Sequence, residues 1–308
     1  MFRHAAKYLL AQDFSMKYKA AMIPTLLRLV SAGQIFAYGG TRGRQGCAVN
    51  PRVIMALLII GGSLIYHWLG TTSYQNEFTG RTQTLALASH EEEIALGLQS
   101  APEMIREMGG LSRDPAGRSL VEKVGARLIA STAAQQTPYQ FKFHLLSDAR
   151  TVNAFALPGG QIFITEALFR RFKSEDQLAG VLGHEMGHVV GRHSNEQMAN
   201  SRLWSGLAQG LGILLSDGSN NTGAYVANMV AQWRVMKFSR DDELESDALG
   251  LRFMMQAGYN PEALIGVMEI LAEASGGSGG SDFMSSHPSP DNRIEKIREV
   301  IARERGGR

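Results

Sequence analysis

This chain has a single cysteine and a small net charge. Cys47 is the only cysteine among 308 residues, so no intrachain disulfide can form. The residues before it, RQG, are not the apolar run that a lipid-attachment site requires. The 31 Lys and Arg nearly balance the 29 Asp and Glu, and the net charge is only +2.

The small net charge conceals an uneven distribution. Residues 1–52 contain eight basic residues against one acidic residue, a net charge of +7, and residues 53–308 must therefore carry −5. A mildly acidic body argues against nucleic-acid binding, and we expect no nucleic-acid partner. A basic segment at the front is instead typical of a membrane topology signal.

Long apolar runs are also rare, and only one is long enough to span a bilayer. Val53–Leu69 carries no formal charge, and as a helix it would span about 26 Å. Tyr66 and Trp68 lie at its far end, while the basic residues precede it. The positive-inside rule then predicts a single-pass anchor, with residues 1–52 in the cytoplasm and residues after Gly70 outside. A cleaved signal peptide is the alternative, although no small-x-small cleavage site follows closely.

The rest of the chain predicts an α+β protein. Residues 70–88 are polar and Thr-rich, and we interpret them as a tether to a domain over 89–308. Capping boxes at Ser89 and Ser174 predict the start of two helices. Strands are predicted by YQFKFHLLSD and, as a hairpin, by VNAFALPGGQIFIT, which indicates a small antiparallel sheet. The 13-residue apolar segment at 203–215 is too short to cross a membrane. Later helices are predicted over about 224–236, 240–257, 261–274 and 290–304.

Three of the eight histidines lie within ten residues, in the segment VLGHEMGHVVGRHSNEQ. His184 and His188 are four residues apart, so on a helix both imidazoles face one side and can bind one metal ion. Glu185 lies one step round, near enough to take a proton from water at that ion. The spacing predicts a catalytic metal site, with a surface helix that carries scattered histidines as the alternative.

Two completions of the site compete. A metzincin pattern needs a histidine at position 194, where this chain has Ser194. His193 is one residue early, and on a continued helix it would be rotated about 140° from His188, so we interpret His193 as a structural or capping residue. The segment FSRDDELESDALG offers the other completion, because Glu243 and Asp247 share a helix face. Glu243 is the predicted third ligand, and Asp247 is the predicted acceptor for the free ring N–H of a ligating histidine.

Two histidines and one glutamate are a ligand set of catalytic zinc sites, which keep one position open for water. We therefore expect one Zn²⁺ per chain, with Glu185 as the general base. His287 lies between a Gly/Ser-rich loop and a helix opened by proline, and it is the candidate donor to the oxyanion. Helix capping is the alternative role for His287, and Arg293 is interpreted as a structural ion-pair partner.

Together these motifs resemble metallopeptidase family 48, the membrane-linked zinc endopeptidases that include HtpX-like, Ste-type and Oma-type enzymes. The resemblance runs over about 76–301 and rests on four ordered segments: VNAFALPGGQIFIT, GHEMGH, FSRDDELESD and SSHPSPDNRI. It implies a mainly helical zincin-type domain, with His184, His188 and Glu243 as ligands and Glu185 as base. It also implies cleavage of damaged or misassembled envelope proteins. HtpX-like and Ste-type members have several membrane spans, whereas this chain offers one.

The strand at 160–165 is expected to form an exposed sheet edge that pairs with an extended peptide. Asn153, Gly159 and Gly160 are the expected substrate contacts beside it. The leading hypothesis is a zinc endopeptidase anchored in the cytoplasmic membrane through residues 53–69. Its catalytic domain would lie on the periplasmic side and act on misfolded envelope proteins. The rivals are an inactive metal-binding scaffold, against which Glu185 argues, and an exopeptidase, for which no amine-binding group can be assigned.

Overall fold

The computed structural model describes residues 51–201, 203, 237–275, 282–288 and 292–306. The basic segment 1–50, most of the apolar segment 203–215 and the helix predicted at 224–236 lie outside these residues, and the expectations for them stay predictions.

The apolar segment near the start forms helix α1, Pro51–Gly70. Its 18 residues Val53–Gly70 are long and apolar enough to cross a membrane. Ala56 is the only buried residue among them, and the side chains of Leu57 and Tyr66 are 59% and 62% exposed. A core helix of a soluble domain would bury this apolar surface, so the exposure fits a helix that faces lipid. A signal sequence, the alternative given above, meets the same test of length and apolar composition, so these two properties do not distinguish it from an anchor.

Residues 70–88 are not the simple tether that the sequence predicted. They contain two antiparallel strands, β1 (Thr72–Gln75) and β2 (Thr82–Leu85). The turn between them is closed by Asn76, whose Oδ1 accepts the backbone N–H groups of Phe78 and Thr79 at 2.9 and 3.2 Å. Polar residues that suggested a solvated tether therefore build a hairpin.

This β1–β2 hairpin is attached to the domain through buried amides. Asn76 Nδ2 donates to the carbonyl of Val190 at 2.9 Å, and Gln83 Nε2 donates to the carbonyl of Gly191 at 2.7 Å. Both carbonyls lie at the C-terminal end of a helix, where backbone acceptors lack helical partners. The hairpin thus supplies hydrogen-bond donors to the C-terminal carbonyl groups of the helix that carries the histidine motif.

Two helices lead from the hairpin to the sheet, α2 (His90–Glu107) and α3 (Pro115–Ala130). The predicted cap of α2 is confirmed, because Ser89 Oγ accepts the backbone N–H of Glu92 at 3.2 Å. Helix α3 begins behind Asp114, whose side chain caps the first turn at 3.0 Å. Pro115 occupies that first turn, where a backbone N–H has no helical partner to lose.

The central sheet has three strands in the order β3–β5–β4: β3 (Lys142–Leu146), β4 (Ala154–Leu157) and β5 (Gln161–Thr165). The predicted hairpin is confirmed, since β4 and β5 pair antiparallel with Leu157 opposite Gln161. The sheet as a whole is mixed rather than antiparallel, because β3 runs parallel to β5.

The expectation that the strand at 160–165 is an exposed edge is wrong. β5 is paired on both sides, and all five of its residues are buried. The run QIFIT is apolar at consecutive positions, which is typical of a strand covered on both faces. The edges of this sheet are β3 and β4.

Helices α5 (Glu175–Val190) and α6 (Arg240–Gln256) form the centre of the domain. They approach closely at glycines: a Cβ on Gly250 would lie 2.8 Å from the backbone nitrogen of His184, and one on Gly187 would lie 2.8 Å from the carbonyl oxygen of Ser246. Side chains on the facing turns of these two helices can therefore reach a common point.

The remaining described helices complete an α+β domain that is mainly helical, as predicted. They are α4 (Glu166–Phe169), α7 (Ala263–Ser275), α8 (Asp282–Ser286) and α9 (Arg293–Gly306). The helices predicted at 240–257, 261–274 and 290–304 are confirmed to within a few residues. One continuous core joins α3, the sheet, α5, α6, α7 and α9. The rigid packing of this core fixes where α5 and α6 present their polar side chains.

Candidate metal centre

Helix α5 presents the histidine motif from inside the protein. Ser174 caps the helix by accepting the backbone N–H of Gln177 at 3.3 Å, as the sequence predicted. Two turns later the motif is almost fully enclosed, with His184 and His188 1% exposed and Glu185 0% exposed. The alternative of a surface helix with scattered histidines is therefore excluded.

Helix α6 supplies carboxylates from the opposite side. It starts with a reciprocal capping box, in which Ser239 Oγ accepts the N–H of Asp242 at 3.1 Å and Asp242 Oδ2 accepts the N–H of Ser239 at 3.0 Å. This cap fixes the first turn, so Glu243 and Asp247 follow one turn apart on the face toward α5. Glu243 is 0% exposed and Asp247 is 2% exposed.

The structure brings the three predicted ligands to one point. The Nε2 atoms of His184 and His188 are 3.1 Å apart. Glu243 faces both, with Oε2 3.4 Å from His184 Nε2 and Oε1 3.4 Å from His188 Nε2. Such separations allow one ion to be shared by all three side chains.

His287 lies in the same cluster rather than to one side of it. It follows α8, and its Nδ1 is 2.9 Å from Glu243 Oε1 and 3.4 Å from His184 Nε2. Its other ring nitrogen, Nε2, is 3.6 Å from Glu185 Oε1. The ring can thus offer a fourth ligand atom, a role that differs from the oxyanion donor expected from the sequence.

Two observations show that these residues fit a divalent metal ion. The ligand atoms of His184, His188, Glu243 and His287 all lie within 4.8 Å of one another, and imidazole and carboxylate are usual zinc donors. In addition, both carboxylate oxygens of Glu185 are buried without a hydrogen-bond partner among the described residues. A buried carboxylate without a partner is costly, so this one indicates that water or substrate binds beside the cluster.

The protonation of the cluster suits a cation. Burial lowers the pKa of His188 well below its ordinary value and keeps its ring neutral. Burial alone would raise the pKa of Glu243, but the His287, His184 and His188 rings hold it well below the usual range, so Glu243 is ionised. Burial raises the pKa of Glu185, which makes this carboxylate a better proton acceptor.

A second layer of contacts fixes His184. Its Nδ1 lies 2.8 Å from Asp247 Oδ1, so Nε2 is left to face the cluster. Arg293 holds Asp247 through Nε at 2.7 Å and Nη2 at 2.9 Å, and its Nη1 is 3.1 Å from Glu243 Oε2. Burial opposes ionisation of His184, yet its bonds to Asp247 and Glu243 raise the pKa of His184 to about 9, which shows how strongly the carboxylates attract positive charge. Arg293 is the structural ion-pair partner that the sequence suggested.

Two aromatic residues that the sequence reasoning missed enclose the cluster. The ring of Phe238 stacks on His188 with centroids 4.0 Å apart, and Phe283 stacks on His287 at 4.3 Å. Each aromatic residue stands four or five positions before a cluster residue in the sequence, Glu243 for Phe238 and His287 for Phe283. This short spacing in the sequence was the signal that could have identified the two aromatic residues.

The three expected substrate contacts, Asn153, Gly159 and Gly160, lie in different surroundings. Asn153 precedes β4, and its Oδ1 is buried without a hydrogen-bond partner among the described residues. Gly159 lies instead against α2, where a Cβ would meet Ile94 Cα at 2.4 Å, and a Cβ on Gly160 would meet Phe141 Cα at 3.2 Å. Both glycines have positive φ, so the turn and its close packing explain them without a substrate.

Comparison with known proteins agrees with this geometry. The chain is 35% identical to the mitochondrial metalloendopeptidase OMA1 of Schizosaccharomyces pombe over 183 residues, which are 59% of this chain and 52% of that protein. It is 31% identical to the beta-barrel assembly-enhancing protease of Yersinia pestis over 226 residues, 70% of this chain and 45% of that protein. For the protease of the same name from Escherichia coli K12 the figures are 30% over 217 residues, 67% and 44%.

The chain spans about half the length of these relatives, so the comparisons concern the shared domain and not each whole protein. The sequence model of peptidase family M48 matches residues 115–301, which include α5, α6, His287 and most of the core. The family match and the buried His-Glu-x-x-His cluster agree. We conclude that this chain belongs to peptidase family M48, whose members are metallopeptidases.

Proposed function

We propose that this chain is a zinc-dependent endopeptidase anchored in a membrane by α1. The observation that carries the proposal is the orphaned carboxylate of Glu185 beside four converging ligand side chains. A pure metal-binding scaffold has no use for a buried carboxylate without a hydrogen-bond partner at that place, since its burial is costly. A peptidase needs a base there.

The side chains divide the work as follows. His184, His188 and Glu243 would hold zinc, which supplies a Lewis acid for the scissile carbonyl and acidifies the attacking water. Glu185 takes the proton from that water and passes it to the leaving amine. Asp247 keeps His184 in the tautomer that presents Nε2.

His287 is proposed as a fourth ligand in the arrangement seen here. Its Nδ1 points at the ligand atoms, 2.9 Å from Glu243 Oε1. A fourth protein ligand would compete with the water on which Glu185 acts, so binding of zinc by His287 would oppose catalysis. The oxyanion role predicted from the sequence would require the ring to leave this position.

The endopeptidase assignment is tested with the full chain in detergent and a denatured protein such as reduced casein. We expect internal cleavage, seen by mass spectrometry as fragments with new termini on both sides. A chelator should stop the cleavage, and added zinc should restore it. Stepwise loss of single residues from one end would show an exopeptidase, and no chelator-sensitive cleavage would favour an inactive relative.

The outer edge of β4 is the proposed peptide-binding strand, in place of β5. The backbone N–H of Thr165 donates to the carbonyl of Asn153 at 3.0 Å, so this pair is hydrogen bonded. Hydrogen-bonded pairs alternate in antiparallel strands, and Phe155 therefore bonds inward to β5. Ala154 and Ala156 direct their backbone groups outward; Ala154 is fully buried, whereas Ala156 is half-buried and can pair with an extended peptide.

Ala156→Pro tests this edge, because it removes one outward N–H without removing a bond between β4 and β5. We expect kcat/KM for peptides to fall at least about 10-fold, the effect of losing roughly one backbone hydrogen bond to a bound substrate. Zinc content should not change. Ala156→Ser, which keeps the N–H, is the matched control. Equal kcat/KM for the proline variant and the wild type would exclude β4 as the substrate strand.

The cellular role is proposed from the layout of the chain together with the printed names of its relatives. The basic segment 1–52, the anchor 53–69 and the domain after the hairpin follow the positive-inside rule for a domain outside the cytoplasm. One relative is named a beta-barrel assembly-enhancing protease. We propose that this chain cleaves misfolded or misassembled envelope proteins at the periplasmic face of the cytoplasmic membrane.

A further inference from the structure

The helix that carries the motif does not continue to His193. α5 ends at Val190, with Gly191 as its C-cap, and Arg192 then adopts φ 56° before the chain becomes helical again from residue 193. Arg192 is the only non-glycine residue with positive φ in the part of the chain that the structure describes. Such a conformation is strained and persists only where surrounding contacts impose it.

Buried contacts impose the conformation of this turn. Arg192 Nε bonds to Glu93 Oε1 of α2 at 3.0 Å, and its guanidinium lies 4.5 Å from the ring centre of Tyr74 in β1. Glu93 also accepts hydrogen bonds from Asn195, and from the hydroxyl of Tyr139 at 2.7 Å. The break in the helix is thus held by α2 and the hairpin.

The redirected chain brings His193 to the outer nitrogen of a ligand. His193 is 0% exposed, and its Nδ1 lies 2.9 Å from His188 Nδ1. Its Nε2 lies 2.7 Å from Glu245 Oε2. A continued helix would have turned this ring away from His188, so the strained turn is what creates the contact.

With a cation at His188 Nε2, the contacts of these three side chains are consistent with one arrangement of protons. His188 directs Nε2 at the cluster, so its proton is on Nδ1 and is donated to His193 Nδ1. The proton of His193 is then on Nε2 and is donated to the Glu245 carboxylate. His184 is held directly by Asp247, and His188 would be held in the equivalent way through one additional imidazole.

The β1–β2 hairpin contacts the outer end of this series of hydrogen bonds. Arg81, in the turn before β2, lies 2.9 Å from Asp242 Oδ1 and 3.6 Å from Glu245 Oε2, and it also bonds to Glu196. His193, Asp242 and Glu245 have the geometry of a second ligand group. The guanidinium already balances these carboxylates, so they form an ion-pair cluster and not a second cation site.

We propose that His193 is a positioning residue for His188, oriented by Glu245 and by Arg81 of the β1–β2 hairpin. This inference rests on the proposed zinc site. It makes the hairpin that directly follows α1 a structural support of the metal centre. Removal of an outer partner of a ligating histidine typically lowers metal affinity about 10–100-fold.

The test uses the full chain in detergent, with zinc affinity measured by chelator competition and the ligand field by absorption of the cobalt-loaded protein. His193→Leu should bind zinc about 10–100-fold more weakly than the wild type and shift the cobalt bands. His193→Gln should restore affinity to within about threefold, because its amide oxygen accepts from His188 and its amide nitrogen donates to Glu245. Arg81→Met should weaken binding to an intermediate extent.

Arg252→Met is the matched control. Arg252 lies on α6, as Glu245 does, and its Nε bonds to Glu304 of α9 at 2.9 Å, but it takes no part in the hydrogen bonds that link His188, His193 and Glu245. It should bind zinc as the wild type does. Wild-type affinity and an unshifted cobalt spectrum in His193→Leu would overturn the inference alone, as would a glutamine variant as weak as the leucine variant. If the leucine variant fails to fold by circular dichroism, the glutamine and Arg81 variants decide. A wild type that binds no zinc would overturn the proposed function as well.

Discussion

Glu185→Gln is expected to abolish peptide cleavage while the protein keeps its zinc. The amide has the shape of the carboxylate but cannot take a proton from water, and loss of a general base lowers the rate about 10²–10⁴-fold. Both oxygens of Glu185 lack hydrogen-bond partners among the described residues, so the substitution removes a buried charge without breaking a hydrogen bond. Thermal stability should therefore stay the same or rise.

Activity on denatured protein, zinc content and the melting temperature measured on one preparation check this expectation. Glu175→Gln is the matched control, because it makes the same change in the first turn of the same helix, where Glu175 accepts a hydrogen bond from Tyr259. The control should stay active. Cleavage at the wild-type rate by Glu185→Gln would remove Glu185 from the mechanism, and loss of zinc would make it a ligand.

Glu243→Ala is expected to cause the largest loss of zinc. The carboxylate faces both Nε2 atoms at 3.4 Å and is the only carboxylate in the main cluster of possible ligands in the described part of the chain. Its removal should lower zinc affinity by more than the roughly 10–100-fold typical of losing an outer partner. Activity at limiting zinc should fall in parallel and should recover in part when zinc is added in excess.

Asp241→Ala provides the comparison for Glu243→Ala, since Asp241 lies two residues earlier in α6 and is exposed. Its zinc affinity should match that of the wild type. Chelator competition on the two variants and the wild type is the measurement. Normal zinc affinity in Glu243→Ala would show that another residue is the third ligand.

The sequence was sufficient to predict the two helices that carry the candidate ligands, because their signals are local. The spacing of His184 and His188 places both rings on one face of any helix, and a capping serine marks where that helix starts. Glu243 and Asp247 follow the same rule on α6. The convergence of the two helices is a tertiary feature, but it depends on glycines at the contact, such as Gly250, that are visible in the sequence.

What the sequence did not predict depends on breaks and on pairing between distant segments. The rotation of His193 was calculated for a continued helix, whereas Arg192 reverses the local backbone and turns the ring toward His188. The choice of β5 as an edge strand failed because β3 pairs directly with β5 in parallel, although β4 lies between them in the sequence. Residues 70–88 were predicted to be a tether because they are polar. Their polar side chains bond instead to the end of a helix more than 100 residues later, which the local sequence does not show.

X-ray absorption at the zinc edge of the purified full chain tests directly whether these side chains bind zinc. We expect one zinc ion per chain, with two or three imidazole nitrogens and at least one carboxylate oxygen at about 2.0–2.2 Å. The same spectrum from Glu243→Ala should lose the carboxylate contribution. A wild-type protein that binds no stoichiometric zinc, or a zinc shell without imidazole, would rule out this zinc site.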